Sequence, residues 1–204
     1  MSVRSTIVAL GALATSVVAH GTVSSFTTDG KQNQGFLLDY YYAKKNGQTT
    51  PAIAAWSAEN LDNGFVGPES YSTSDINCHK KAEPGALTAK VAAGGKVTFN
   101  WGEWPHGIGP VLTYVAECGG DCSKADKTAL KWVKIDAAGH DGKTWAAQKL
   151  IDDGGKWTTT VPTSLKAGNY VFRHEIIALH AGGDKNGARK YPTSPNPQST
   201  RSLD

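Results

Sequence analysis

Histidines are the residues of this chain best suited to chemistry near neutral pH, and its six occupy very different settings. His20 follows a segment with the form of a secretory leader. Arg4 precedes an apolar run from Ile7 to Val18, and Val17-Val18-Ala19 supplies small residues before a cut. The run is too short for a membrane span and is interrupted by Gly11, Thr15 and Ser16. Cleavage after Ala19 makes His20 the first residue of the mature chain. Such a histidine offers an α-amine and an imidazole to one metal ion as a chelate. The amine, with a reference pKa of about 8, is readily deprotonated by a metal, and nitrogen donors favour copper over calcium or magnesium. The alternative is an ordinary surface histidine that cleavage happens to expose, and on His20 alone that alternative is the stronger.

A second nitrogen ligand must come from His79, His106, His140, His174 or His180. His106 lies in Trp104-Pro105-His106-Gly107-Ile108-Gly109-Pro110, a Gly- and Pro-rich turn between two predicted strands, which suits a site. His174 falls in mid-strand, where a core or supporting role is usual. His180 is six residues further on and shares its face if the strand is unbroken. His79 and His140 read as solvated loop residues. The stretch from His174 to His180 fails as a zinc-protease motif, because that motif needs histidines four apart on a helix. Asp184-Lys185-Asn186-Gly187 lacks the acidic residue that closes a calcium loop. There is no phosphate-binding glycine loop and no G-x-S-x-G elbow, and Asp152-Asp153 has no context marking a glycosidase.

The elements that must position these residues are predicted to be strands. Lys96 to Trp101 alternates Val97, Phe99 and Trp101 with Lys96, Thr98 and Asn100, and Asn169 to Ile177 alternates Tyr170, Phe172, His174 and Ile176 with polar and smaller residues. Thr22 to Thr27, Val111 to Ala116, Leu130 to Ile135 and Trp157 to Val161 are further candidates. Six or more short strands with long connections imply an all-β chain, an antiparallel β-sandwich with long loops. Asp29 to Asp75 and Ala137 to Gly155 read as loops with at most short helical turns. From Lys190 onward the chain is Pro-, Ser- and Thr-rich without alternation, which predicts a disordered tail over 190–204.

With 204 residues the chain is long enough for one domain with a substantial core. Its charged fraction of 19% and its 23 glycines argue against a coiled coil or a helical bundle. A net charge of +3, with lysines and arginines scattered, argues against a nucleic-acid partner, and no stretch after the leader could cross a bilayer. In an oxidising compartment Cys118 and Cys122 can close a local loop, which leaves Cys78 without a partner. No N-x-S/T sequon is present.

Several ordered motifs resemble the fungal copper-dependent lytic polysaccharide monooxygenases of auxiliary activity family 9, formerly glycoside hydrolase family 61. They are His20-Gly21 at the mature terminus, Asp75-Ile76-Asn77-Cys78-His79, Trp104-Pro105 with Gly109-Pro110-Val111-Leu112-Thr113-Tyr114, and Tyr170-Val171-Phe172-Arg173-His174-Glu175-Ile176-Ile177-Ala178-Leu179-His180. The resemblance runs to about Pro192. It implies an immunoglobulin-like β-sandwich over 20–189, after a signal peptide at 1–19, with one copper ion in a histidine brace. In that brace His20 gives amine and imidazole, His106 gives the second imidazole, and Tyr191 is the axial phenol. His180 would hydrogen-bond the oxygen cosubstrate, so His180 and Tyr191 carry the catalytic roles. An external electron donor, a small molecule or a protein, would reduce the copper. O2 or H2O2 would then be used to hydroxylate C1 or C4 of a β-1,4-glucan such as cellulose. The resemblance further implies a secreted, extracellular monomer. Surface aromatics such as Tyr40, Tyr41 and Tyr42 can stack on sugar rings, although a tyrosine run equally fits a packed loop.

Three departures from the family pattern bear on activity. The second ligand is usually written H-x-G-P, whereas His106 stands one residue farther from Gly109-Pro110. The glutamine of the family's G-A-Q-x-Y motif is Arg189 here, and a permanent guanidinium charge near copper replaces an amide that both donates and accepts. Arg189 is therefore expected to point away, or activity to be reduced. Finally, Thr193-Ser194 stands where the family places a cysteine after Tyr191-Pro192, so Cys78 lacks the partner the resemblance implies. The family's final strand and C-terminal segment are not matched, which marks the C-terminus as atypical or truncated. Retained His20, His106, His180 and Tyr191 favour the enzyme. Arg189 and the altered C-terminus favour a non-catalytic relative that binds copper or glycan.

Overall fold

In the computed structural model of the chain, residues 21–200 are described. The leader assigned to 1–19, His20 and residues 201–204 lie outside them. Among the described residues ten strands form two sheets. The first has the order β2-β1-β4-β7, from β1 (Val23–Thr28), β2 (Lys31–Gln34), β4 (Lys96–Trp101) and β7 (Lys156–Thr160). The second runs β3-β10-β8-β5-β6, from β3 (Ala89–Ala92), β10 (Pro197–Thr200), β8 (Gly168–Ala178), β5 (Val111–Glu117) and β6 (Val133–Ala138). A further strand, β9 (Arg189–Thr193), pairs with the later half of β8, Tyr191 lying opposite Ile176. Pairing is antiparallel except between β10 and β3.

The alternation that marks β4 and β8 in the sequence also builds the core. Val97, Phe99 and Trp101 face Tyr170, Phe172, His174 and Ile176 between the sheets, all buried. His174 is fully buried, its ring stacked on Phe99 at 4.1 Å and its Nδ1 3.2 Å from the Thr113 hydroxyl. Burial holds its pKa down to about 3, so it is a neutral core residue. The outer face of β8 carries a second, smaller core of Trp56, Cys78, Ala82 and Val171. On that face Arg173 pairs with buried Glu175 at 3.2 Å and stacks 4.2 Å from the Tyr114 ring centre. The expected loops contain helices: α1 (Leu38–Lys45), α2 (Asp75–Cys78) and α3 (Ala146–Asp152), of which α3 buries Ala146, Ala147 and Leu150.

The tail expected to be disordered from residue 190 is instead ordered as far as Thr200. Tyr191, Ser194, Asn196 and Ser199 are each 2% exposed or less. Polar contacts rather than apolar alternation hold it. Asn196 accepts from the Trp56 indole and donates to the Gly85 carbonyl at 3.1 Å, while Trp56 N–H donates to Ser194 and Phe172 N–H to Pro195. Carbonyls do most of this pairing, which suits a segment rich in proline, a residue that accepts but cannot donate. Cys118 and Cys122 form a disulfide, with a Cα separation of 5.1 Å. Among the described residues no helix is long and apolar enough to cross a membrane.

Candidate metal centre

The turn after β4 is tied to the end of β8. Ile177 N–H donates to the Pro110 carbonyl at 3.1 Å and Leu179 N–H to that of Ile108 at 2.9 Å. Gly109 has φ of +148°, and a Cβ there would overlap the Ile177 carbonyl, so only glycine allows so close an approach. The result is a contact between two histidines far apart in sequence. The His106 ring stacks on the His180 ring with centres 3.9 Å apart and planes within 20°. His180 does not share the strand face of His174, because β8 ends at Ala178.

Trp104 organises the inner side of this pair. Its buried indole donates to the His106 carbonyl at 2.8 Å and meets the His106 ring edge-on at 5.4 Å. It also meets the Tyr191 ring edge-on at 4.8 Å. Burial pushes the Tyr191 hydroxyl up to about 12, against the downward pull of the Arg189 guanidinium, so Tyr191 is a neutral phenol at physiological pH.

Arg189 does not point away from the site. Its Nη1 lies 3.1 Å from His180 Nε2, and its guanidinium carbon lies 4.7 Å from the centre of the Phe65 ring. Phe65 in turn meets Tyr191 edge-on at 6.0 Å. The cation the sequence suggested would be excluded is accommodated by an aromatic face and by an imidazole that accepts its hydrogen bond.

The start of the described chain is pinned to the same turn. Gly21 is buried, and a Cβ on it would lie 2.6 Å from the Glu103 carbonyl and 3.0 Å from the Trp104 ring. Gly102 N–H donates to Thr22 at 2.9 Å. The residue bonded to Gly21 is His20, which itself lies outside the described residues. Among the described residues no group of three or more His, Cys, Asp or Glu side chains could hold a metal. The described donors are the imidazoles of His106 and His180 and the Tyr191 phenol. A nitrogen and phenol set fits copper better than calcium or magnesium, and a closed site needs further donors, of the kind His20 carries.

The remaining expected residues are placed elsewhere. Tyr40, Tyr41 and Tyr42 lie on α1. Tyr40 and Tyr41 line a groove of about 620 Å³ whose lining includes none of His106, His180, Arg189 or Tyr191, and Tyr42 is 47% exposed. His140 is exposed, as expected. His79, expected to be solvated, is buried, its Nε2 3.2 Å from the Gly64 carbonyl, and burial holds its pKa down to about 4. Cys78 is a free, buried thiol whose neighbour is the Ser194 hydroxyl. Phe65 and the bridging position of Trp104 had no signal in the sequence beyond their aromatic character.

The chain is similar to known proteins over nearly all of its described length. The sequence model of Auxiliary Activity family 9, formerly GH61, matches residues 20–198. The AA9 family lytic polysaccharide monooxygenase cel61B of Hypocrea jecorina (strain QM6a) is 52% identical over 192 residues, 92% of this chain and 77% of that protein. Lytic polysaccharide monooxygenase D of Botryotinia fuckeliana (strain B05.10) is 51% identical over 183 residues, 89% of this chain and 74% of that one. The solved structure of Cel61B from Hypocrea jecorina superimposes with a TM-score of 0.87 at 50% identity, covering 89% of this chain and 81% of that one. The extended catalytic domain of H. jecorina LPMO9A gives 0.83 at 40% identity, covering 91% and 75%.

Proposed function

Because the chain belongs to Auxiliary Activity family 9, we propose that it is a secreted lytic polysaccharide monooxygenase that binds one copper ion through His20 and His106 and cleaves cellulose or a related β-1,4-glucan. The observation that carries this reading is the convergence of two distant segments on the turn that holds Trp104 and His106. Gly21 packs on the Trp104 ring, His106 follows two residues later, and Tyr191 meets that ring edge-on at 4.8 Å. Copper bound there, reduced by an external donor, would supply the activation of O2 or H2O2 needed to remove hydrogen from C1 or C4.

The chain's own residues set the conditions for that chemistry. His106 gives an imidazole whose orientation is fixed by the Trp104 edge and the His180 face. Tyr191 closes the inner side as an uncharged phenol, which excludes water without adding negative charge. His180, exposed at the rim, stands where a polysaccharide chain and the cosubstrate can meet. Secretion rests on the leader at 1–19, and the unit that folds around the site extends beyond 189 to Thr200.

The test is incubation of the copper-loaded mature protein with cellulose, ascorbate and O2, with soluble products read by mass spectrometry. Oxidised cello-oligosaccharides are expected, and their loss in a His106→Ala variant. Native-mass oligosaccharides alone would contradict the reading. A second reading, a relative that binds copper or glycan without turnover, is favoured by one contact, that of Arg189 with His180. It predicts copper binding with no oxidised product.

A further inference from the structure

The Arg189–His180 contact has a chemical sign. An arginine is always protonated and has donors only, so His180 Nε2 must accept in this pair. A neutral ring that accepts at Nε2 carries its hydrogen on Nδ1. His180 therefore offers no Nε2–H to a ligand, and the N–H donors beside that nitrogen belong to the guanidinium. That guanidinium is held on two sides, by the Phe65 face 4.7 Å away and by the Tyr191 side chain, so it needs little reorganisation to meet a ligand. Its five N–H donors exceed what His180 and Tyr191 use. The His180 ring lies 3.9 Å from the ring of His106, so any ligand on a metal held by His106 lies well within the reach of this charge. Asp62, whose carboxylate also acts on Tyr191, offsets part of it and is itself engaged by Gly64 N–H at 2.9 Å.

We propose that Arg189 is a positioning and specificity residue that makes this centre selective for small anions. It supplies charge and donors beside His180, whose ring stacks on that of His106, and fixes His180 with its hydrogen on Nδ1. The ligand class is a compact monoanion with a lone pair for the metal and another for the guanidinium, such as the conjugate base of hydrogen peroxide. The proposal rests on the reading of His20 and His106 as copper ligands.

Two measurements test it, one of them independent of copper. In metal-free protein, imidazole nitrogen NMR should show His180 Nε2 unprotonated in the wild type, and an Arg189→Gln variant should no longer hold that tautomer. In copper-loaded protein, azide is the probe, titrated by visible absorption. Arg189→Gln should weaken azide binding about fivefold, as expected for removing one nearby unit charge from a partly solvated site. Arg189→Lys, which keeps the charge, should stay within about twofold of wild type. Equal azide affinity in wild type and Arg189→Gln would overturn the proposal, as would a protonated Nε2 in the wild type. A protein that takes up no copper contradicts the metal-centre reading instead, and the His180 tautomer then decides whether Arg189 orients it.

Discussion

Replacing Ser194 by cysteine should cross-link two parts of the chain that now touch without a bond. Cys78 and Ser194 are each 2% exposed, and the serine hydroxyl is close enough to the thiol to oppose the rise in its pKa that burial causes. Cysteine matches serine in shape, so the new Sγ points along the same direction at its partner. The Ser194 hydroxyl also lies 3.5 Å from the Asn77 carbonyl, too long a contact to contribute much. The bridge closes a loop of about 115 residues, for which the chain-entropy model gives a stabilisation of about 5 kcal/mol. In a domain of this size each kcal/mol moves Tm by about 2–4 °C, so the oxidised variant should melt roughly 10–20 °C above the wild type. The assay is thermal unfolding with and without reductant, with free thiols counted after denaturation. The oxidised variant should show none and the wild type one. Two free thiols in the oxidised, denatured variant would show that the side chains do not face each other. A bridged variant that melts no higher than its reduced form would refute the entropic argument.

Two further outcomes follow from buried polar groups. His79 and His174 have pKa values held down to about 4 and about 3, chiefly by burial, against about 6.5 unfolded. Above pH 6.5 both are neutral in either state and contribute nothing. As pH falls below that, the unfolded chain takes up protons the folded chain refuses, and stability is lost on the order of 3 kcal/mol for each by pH 4. Urea midpoints measured from pH 7 to pH 4 should show this fall, and His174→Phe, which keeps a ring over Phe99, should flatten it; an unchanged slope would contradict the assignment. Asn196→Ala removes the partner of the Trp56 indole and of the Gly85 carbonyl, and should cost about 2–4 kcal/mol in urea unfolding, with proteolysis then appearing between residues 193 and 200. A loss below about 0.5 kcal/mol would mean the C-terminal segment is not held as described.

The sequence was most legible where apolar residues alternate. Lys96–Trp101 is a strand with the expected bounds, and the expected strand from Asn169 to Ile177 differs from Gly168–Ala178 by one residue at each end. It was least legible where polar side chains and carbonyls do the holding. The segment from Lys190 to Thr200 has no period to read, yet Asn196 and the Ser194 and Pro195 carbonyls fasten it to β8 and Trp56. His79 looked solvated because it sits in a polar run, and its burial depends on Gly64, distant in sequence. At the site, residue types were readable and directions were not. His106 stood out on its glycine-rich turn, whereas Tyr191 was marked only by the family resemblance. The stacking of His106 on His180 depends on Gly109 passing close to Ile177, and the inward course of Arg189 depends on Phe65.

Whether one copper ion is held by the mature N-terminal histidine together with His106 is read from nitrogen hyperfine structure in the EPR spectrum of the copper-loaded protein. One copper per chain, coupled to three nitrogens, is expected, with one coupling lost and affinity reduced by at least about 100-fold in His106→Ala. An unchanged spectrum and affinity in that variant would contradict that coordination.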